Sequence, residues 1–233
     1  MKGCWNIVLV LAVGGCSGSE RQTEPAEASG AAGVGAAPGT AEAVAGAVSS
    51  APSSDLQTPG ASASDPWQQA LLAIRRLPPD SFPGVPGLVR EALAAADCRV
   101  PQSFYPDRAH NVVSGSFAAP GQTDWAALCV AGEPSPGDSS RIVVVWGGPV
   151  RCESEVAWAD DAMFLQVIGN DQIGYSRSID AVDIEFILAR VEAYGGPAPP
   201  STDHGGINDA FLEKASTVRF CHDGAWIELQ GVD

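Results

Sequence analysis

The chain has 233 residues, with 28 acidic against 13 basic side chains and a formal net charge of −15. From Asp65 onward, 23 acidic and 11 basic residues leave −12, so most of the charge lies in the part of the chain that can fold. That field opposes nonspecific association with nucleic acid or anionic headgroups; cationic partners or divalent metal are compatible with it, and solubility alone accounts for it.

One basic residue, Lys2, precedes an apolar run from Trp5 to Val13 interrupted only by Asn6. The run is too short to span a bilayer comfortably and suits the core of a signal peptide. It ends on Val13-Gly14-Gly15-Cys16, small residues followed directly by cysteine, which resembles the lipobox of bacterial lipoproteins. The resemblance covers residues 1–16. It implies that residues 1–15 are a signal peptide, that Cys16 is lipidated and heads the mature chain, and that the membrane is a partner through that lipid. Ser17 after the cysteine does not match the family's inner-membrane retention signal. The resemblance therefore implies a lipid-anchored cell-envelope protein, with the outer membrane preferred and the domain in the periplasm or at the cell surface. An ordinary secretory signal with an incidental cysteine is the competing reading.

From Ser17 to Ser64 the chain is mostly Ala, Gly, Ser, Pro, Thr and Glu, with Leu56 its one large aliphatic side chain beyond valine and no aromatics. Such a segment buries too little apolar surface to offset its ordering entropy. Residues 16–64 are thus expected to be a lipidated cysteine and a disordered tether, whose root-mean-square span is roughly 40 Å by flexible-chain statistics.

Residues 65–233 are expected to fold as one globular domain. Asp65-Pro66-Trp67-Gln68 predicts a helix start: Asp65 at the N-cap, Pro66 in the first turn and Gln68 placed to close a capping box. Trp67, Leu71, Ile74 and Leu77 follow at helical spacing until Pro78-Pro79. A second helix is expected from Pro86 to Ala96, with Leu88, Val89, Ala92 and Leu93 inward. Strands are expected at Asn111 to Phe117, Trp125 to Val130 and Arg141 to Trp146, the last central because Ile142 to Trp146 is continuously apolar. Further strands are expected at Met163 to Ile168 and Tyr175 to Ile179, then a helix from Asp183 to Tyr194 that Gly195-Gly196-Pro197 breaks. Thr217 to His222 and Ala225 to Gln230 flank Asp223-Gly224, a type I′ hairpin signal. The order implies an α+β fold: a mainly antiparallel sheet, helices at its N-terminal side, one late helix and a closing C-terminal β-hairpin.

Of six cysteines, Cys4 is lost with the signal and Cys16 goes to lipid, leaving Cys98, Cys129, Cys152 and Cys221. An even remainder in an exported domain suggests disulfides, and none forms a C-x-x-C pair. Four cysteines allow three connectivities. We expect Cys98–Cys129, because Cys98 leads from the second helix back toward the strand ending at Cys129. We expect Cys152–Cys221 to tie the hairpin to the middle of the sheet.

Gly115-x-Phe117-x-x-x-Gly121-x-x-Asp124-x-Ala126 resembles the spacing of the FG-GAP/VCBS repeat of β-propellers, whose acidic loop often holds calcium. Here Ser116, Ala118 and Pro120 stand where acids are usual, and the pattern occurs once. Only strand–loop–strand with Phe117 and Ala126 inward is carried over, and no metal site is expected. From about Leu77 onward the chain also resembles an uncharacterised family of bacterial envelope proteins, through Cys98-Arg-Val-Pro-Gln102, Gly121-Gln-Thr-Asp-Trp-Ala126, Tyr194-Gly-Gly-Pro197 and Asp203-His204 with Ala225-Trp226. That resemblance implies a domain type and no catalytic residue.

Other candidates for chemistry weigh against simpler roles. Asp203, His204, Asn208 and Asp209 could ligate metal, but Asp203 as the N-cap of a short helical turn is favoured. His110 has no companion at ligand spacing, and His222 beside the hairpin turn is expected to face solvent. Ser114 and Ser116 lie on a strand without a base, and neither G-x-S-x-G, H-E-x-x-H nor S-x-x-K occurs. Trp125, Trp146, Trp158 and Trp226 are expected in the core. No catalytic residue is assigned and no cofactor is expected. The reading is a noncatalytic binding or envelope-structural module, with an envelope protein or polymer as partner and no nucleic acid; a tethered hydrolase acting on an envelope polymer is the alternative.

Overall fold

The computed structural model describes residues 65–105 and 108–232. The signal peptide, Cys16 and the tether lie outside the described residues.

Helix α1 (Pro66–Leu72) opens on Asp65, whose carboxylate accepts from the Trp67 amide at 3.1 Å. Pro66 costs no hydrogen bond there, because first-turn amides have no intrahelical acceptor. Leu71 and Ile74 are buried while Trp67 stays 42% exposed. Strand β1 (Arg76–Leu77) follows and pairs with β2 (Val100–Pro101). Between them lies α2 (Gly87–Ala95), whose buried stripe is Val89 and Leu93, four residues apart. Leu88 and Ala92, expected inward, point to solvent, and Leu88 is 80% exposed. At 100° per residue, a nine-residue helix on a flat sheet buries one narrow stripe.

Strands β3 (Val112–Gly115), β4 (Asp124–Val130), β5 (Ser139–Val145) and β6 (Glu155–Asp160) form a four-stranded antiparallel meander in chain order. Alternation sends Ala126, Leu128, Ile142 and Val144 to one face and Ala127, Cys129 and Val143 to the other, where they meet Val89 and Leu93 of α2. Both faces of β4 and β5 are covered, which is why these two strands read as continuous apolar runs. After a 3₁₀ turn at Asp161–Phe164, β7 (Leu165–Val167) and β8 (Ile173–Tyr175) make a short ribbon. Of the strand expected at Met163 to Ile168, Leu165–Val167 is β7, while Met163 and Phe164 belong to that turn, opened by the Asp160 side chain accepting from the Ala162 amide at 2.9 Å.

The second four-stranded sheet runs β9 (Arg177–Val182), β10 (Gly206–Phe211), β11 (Ala215–His222), β12 (Ala225–Gln230), all antiparallel. Helix α3 (Ile184–Tyr194), capped by Asp183 on the Phe186 amide, connects β9 to β10. It covers Val218, Phe220 and Leu229 with Ile187. The opposite face of the sheet presents Ile179 and Ile207 to Phe117, Leu128, Ile142 and Tyr175 of the rest of the core. The layers are thus helix, sheet, sheet, helix. The architecture is α+β with antiparallel pairing throughout, but its strands divide between two main sheets that face each other.

The hairpin between β11 and β12 pairs His222 with Ala225 around Asp223 (φ 49°) and Gly224 (φ 82°). Both central residues are left-handed, as a type I′ turn requires. Cys98 is bonded to Cys129, with Cα atoms 4.9 Å apart, fastening the exit of α2 to the sheet beneath it. Cys152 is bonded to Cys221 at 5.9 Å, joining the loop after β5 to β11 and so one sheet to the other. Each closed loop restricts the unfolded chain by an amount worth about 4 kcal/mol in the chain-entropy estimate.

Candidate functional site

Two groups of polar residues stand out, one sealed and one open. The sealed group begins with Arg177 on β9. Ile179 faces the other sheet, so the period of two turns Arg177 the same way, and the side chain is fully buried. All five guanidinium N–H groups find acceptors. Nε donates to Asp209 Oδ1 at 2.9 Å and Nη2 to Asp209 Oδ2 at 2.9 Å; Nη1 donates to Ser140 O and Oγ, each at 2.9 Å. The fifth goes from Nη2 to the carbonyl of Ala157 at 2.5 Å. Ala157 has φ 58° and lies within the register irregularity of the β5–β6 ladder, between the Val156–Ile142 and Ala159–Ser140 pairs. A bulge of this kind re-aims a backbone group, here a carbonyl toward Arg177.

The network continues outward. Ser140 Oγ donates to Asp161 Oδ1 at 2.5 Å and Tyr175 Oη donates to the same oxygen at 3.0 Å. Burial pushes the Asp161 carboxyl above its ordinary range, against the pull of those two hydroxyls and of Arg76. Burial, reinforced by the Asp161 charge, raises the Tyr175 phenol well above its usual value. Arg76 reaches Asp138 at 2.6 Å and approaches Asp161 at 3.8 Å, while Arg219 pairs with Glu228 and approaches Asp209 at 3.6 Å. No ligand can reach a fully buried guanidinium whose donors are all used. The group pins the two sheets together.

The open group lies at the end where α1 meets the β7–β8 ribbon. A cleft of about 350 Å³ has Ala70, Ala73 and Ile74 on one side, Phe104 on another and Ile173 and Gly174 on a third. Small residues make the concavity: a Cβ on Gly174 would sit 2.8 Å from Ile168 Cδ1 and 3.0 Å from Phe104 Cβ. Arg75 and Arg108 stand on its wall, both exposed, and among the described residues neither has an ion pair or side-chain hydrogen bond. Among the described residues no carboxylate lines the cleft.

One edge of the cleft is set by a clasp. Gln102 Nε2 donates to the His110 carbonyl at 3.0 Å and Gln102 Oε1 accepts the His110 amide at 2.9 Å. The Ser103 amide donates to His110 Nε2 at 3.0 Å, so the ring proton sits on Nδ1, which lies 2.9 Å from the Arg108 carbonyl. Ser103 Oγ is 2.7 Å from Nε2, the spacing of a nucleophile and its base, but equally 2.7 Å from the carbonyl of Tyr105. The Nε2 lone pair is already engaged by an amide, so the hydroxyl donates to Tyr105. The pair closes a loop and does not activate Ser103. Burial holds His110 below its usual pKa, and the charges of Arg75 and Arg108 act in the same direction, with the Arg108 carbonyl and Asp180 opposing.

The residues singled out from sequence are scattered. Asp209 is consumed by Arg177, and Asn208, its neighbour in the strand, faces the opposite side of the sheet. Asp203 caps no helix: the segment runs into β10. Strand pairing with β9 and β11 claims those backbone groups and overrides the local turn preference. His204 stacks on Phe220 at 4.2 Å, its Nδ1 2.8 Å from the Gly205 carbonyl, and His222 lies 3.3 Å from Asp223. Among the described residues no three His, Cys, Asp or Glu side chains are grouped to hold a metal, and no helix is long and apolar enough to cross a membrane.

Asp124, the acid of the repeat-like stretch, accepts from the Phe117 amide, from Gln122 Nε2 and from the Gly147 amide at 3.0, 2.7 and 2.9 Å. It staples two loops. Phe117 and Ala126 beside it are buried. Trp146 and Trp226 stack at 5.7 Å beside the Cys152–Cys221 bond. Trp158, expected in the core, is 60% exposed, with the Arg141 guanidinium 4.7 Å over its ring. It follows the irregular Ala157, where strict alternation no longer predicts the buried side. Arg75, Arg108 and the clasp leave no signal in the sequence: an Arg-Arg pair, a distant single arginine and a Ser–His spacing of seven carry no motif. No family model matches the chain, and neither a curated protein nor a solved structure does.

Proposed function

We propose that this chain is a lipid-anchored protein of the cell envelope, held through Cys16 and a tether over residues 17–64, whose domain works as a noncatalytic binding module. The observation that carries the binding role is the cleft at the α1 end. Its mixed lining of isoleucine, phenylalanine and polar side chains, its two guanidinium groups without an ion-pair partner among the described residues and its volume of about 350 Å³ suit a ligand site, which combines apolar lining with a few polar groups. The two disulfides support export, since such bonds persist in oxidising compartments. The lipobox-like Val13-Gly14-Gly15-Cys16 supports the anchor.

A photo-crosslinking side chain at Ile173, in cells of the native host, is expected to yield a discrete adduct with an envelope protein or polymer. The same group at Leu88, exposed on α2, is the control. Identical adducts from both positions would remove the cleft from the function. The alternative, a tethered hydrolase, can be tested directly in the form that would use Ser103 as nucleophile beside His110. A fluorophosphonate is expected to leave Ser103 unmodified, and stoichiometric labelling would replace the binding reading with the enzymatic one.

A further inference from the structure

We infer that the cleft recognises an oxyanion, a phosphate or carboxylate group carried on a small apolar body. The inference deepens the binding reading and rests on it.

Residues 65–233 carry 23 acids against 11 bases, and several of the arginines are accordingly paired: Arg76 with Asp138, Arg141 with Glu155, Arg177 with Asp209, Arg219 with Glu228. Among the described residues Arg75, Arg90, Arg99, Arg108, Arg151 and Arg190 have no such partner, and of these Arg75 and Arg108 approach the same cleft from separate segments. Asp180 acts on nearby His110 but does not line the cleft. Two like charges on one concave wall repel each other, and a bound anion relieves that repulsion. A guanidinium presents a planar fork of donors that matches phosphate and carboxylate oxygens. Next to the arginines Ile74, Phe104, Ile168 and Ile173 provide apolar contact for a ring or short chain. The volume admits one ring with its charged group. The clasp fixes the chain on either side of the cleft rim, since Gln102 and Ser103 hold His110, whose ring in turn holds the Arg108 carbonyl.

The test is a titration of the isotope-labelled full chain, both disulfides intact, with phenyl phosphate at low salt, read by amide chemical shifts. Saturable shifts are expected at Ser103 and Gly174. Benzyl alcohol, which lacks the charge, and inorganic phosphate, which lacks the ring, are each expected to bind at least about tenfold more weakly, the scale of one charge-assisted hydrogen bond or one buried apolar group. The Arg75→Gln/Arg108→Gln variant should fold normally and lose about tenfold or more in affinity, with partial recovery in the double lysine variant. Benzoate in place of phenyl phosphate reports whether carboxylate is preferred. Co-sedimentation with phosphatidylglycerol vesicles, lost in the double glutamine variant, would assign the phosphate to a lipid headgroup; phenyl phosphate binding without sedimentation would assign it to a soluble ligand. Absence of saturable shifts at Ser103 and Gly174, or binding undiminished in the double glutamine variant, overturns the inference. A specific Ile173 adduct in cells alongside that negative result would leave the binding module standing and remove only the oxyanion.

Discussion

Arg75 and Arg76 are consecutive, yet one stands on the wall of an open cleft and the other turns inward to Asp138 and Asp161. The inward set, with Arg177 and Arg219, has carboxylates for partners and lies between packed layers. There the cost of removing charge from water is offset by geometry, and the result is a fixed arrangement of the two sheets. The outward pair, Arg75 and Arg108, remains solvated and, among the described residues, without a counter-ion, open to a partner from outside. The same side chain is therefore buried in the fold or left at the surface according to whether the fold supplies its counter-ion.

The largest effect is expected from Arg177→Ala. It leaves Asp209 buried without its bidentate partner and should cost about 3–5 kcal/mol in urea unfolding. Arg177→Lys should also be strongly destabilising, because one ammonium cannot reach Asp209, Ser140 and the Ala157 carbonyl together. A loss below about 1 kcal/mol would show that the buried network is not the pin between the sheets.

Next in size is the covalent link between the same sheets. Cys152→Ser/Cys221→Ser should cost about 2–5 kcal/mol. Combined with Arg177→Ala, it asks whether the two ties are independent. Additive losses would mean that they are, and a loss well short of the sum would mean that one only works when the other is in place.

The clasp provides a smaller, pH-dependent effect. The folded-state pKa of His110 lies below its reference of 6.5, so the neutral ring is the one the fold accommodates. Its stabilisation is fully present above 6.5 and is lost as pH falls through the lowered folded value. Unfolding free energy measured from pH 7.5 downward should therefore fall, and His110→Gln should flatten that part of the curve. An unchanged slope in the variant would place the pH dependence elsewhere.

The smallest expected effect on stability is at the cleft itself. Arg75→Gln and Arg108→Gln should each change unfolding free energy by no more than about 0.5 kcal/mol, as exposed substitutions usually do. A loss comparable to that of Arg177→Ala would erase the distinction between the two sets of arginines.

Much of the local structure was legible along the chain. Pro and Gly punctuation with helical spacing located α2, α3 and the start of α1, and the apolar runs located β4 and β5; α1 stops at Leu72 instead of running to Pro78, because Arg76–Leu77 pairs with Val100–Pro101 as a strand. The α+β class follows from that order of elements. These features depend on interactions a few residues apart, so the signal lies within each segment. Strands β6 and β10 left no such mark: one bends at Ala157, and the other carries Asn208 and Asp209 where apolar side chains would be expected. Burying Asp209 is acceptable only because Arg177, 32 residues away, is brought against it. Likewise the cleft draws its walls from α1 and the residues after it, from Gln102, Ser103, Phe104 and Arg108, and from the β7–β8 ribbon, and no one of these segments is unusual alone. The chain's order of residues was enough to set helices, apolar strands and overall charge. Which strands shared a sheet, which arginines found acids and where a concave surface remained were decided by contacts between distant segments, whose energies exist only once the layers have packed.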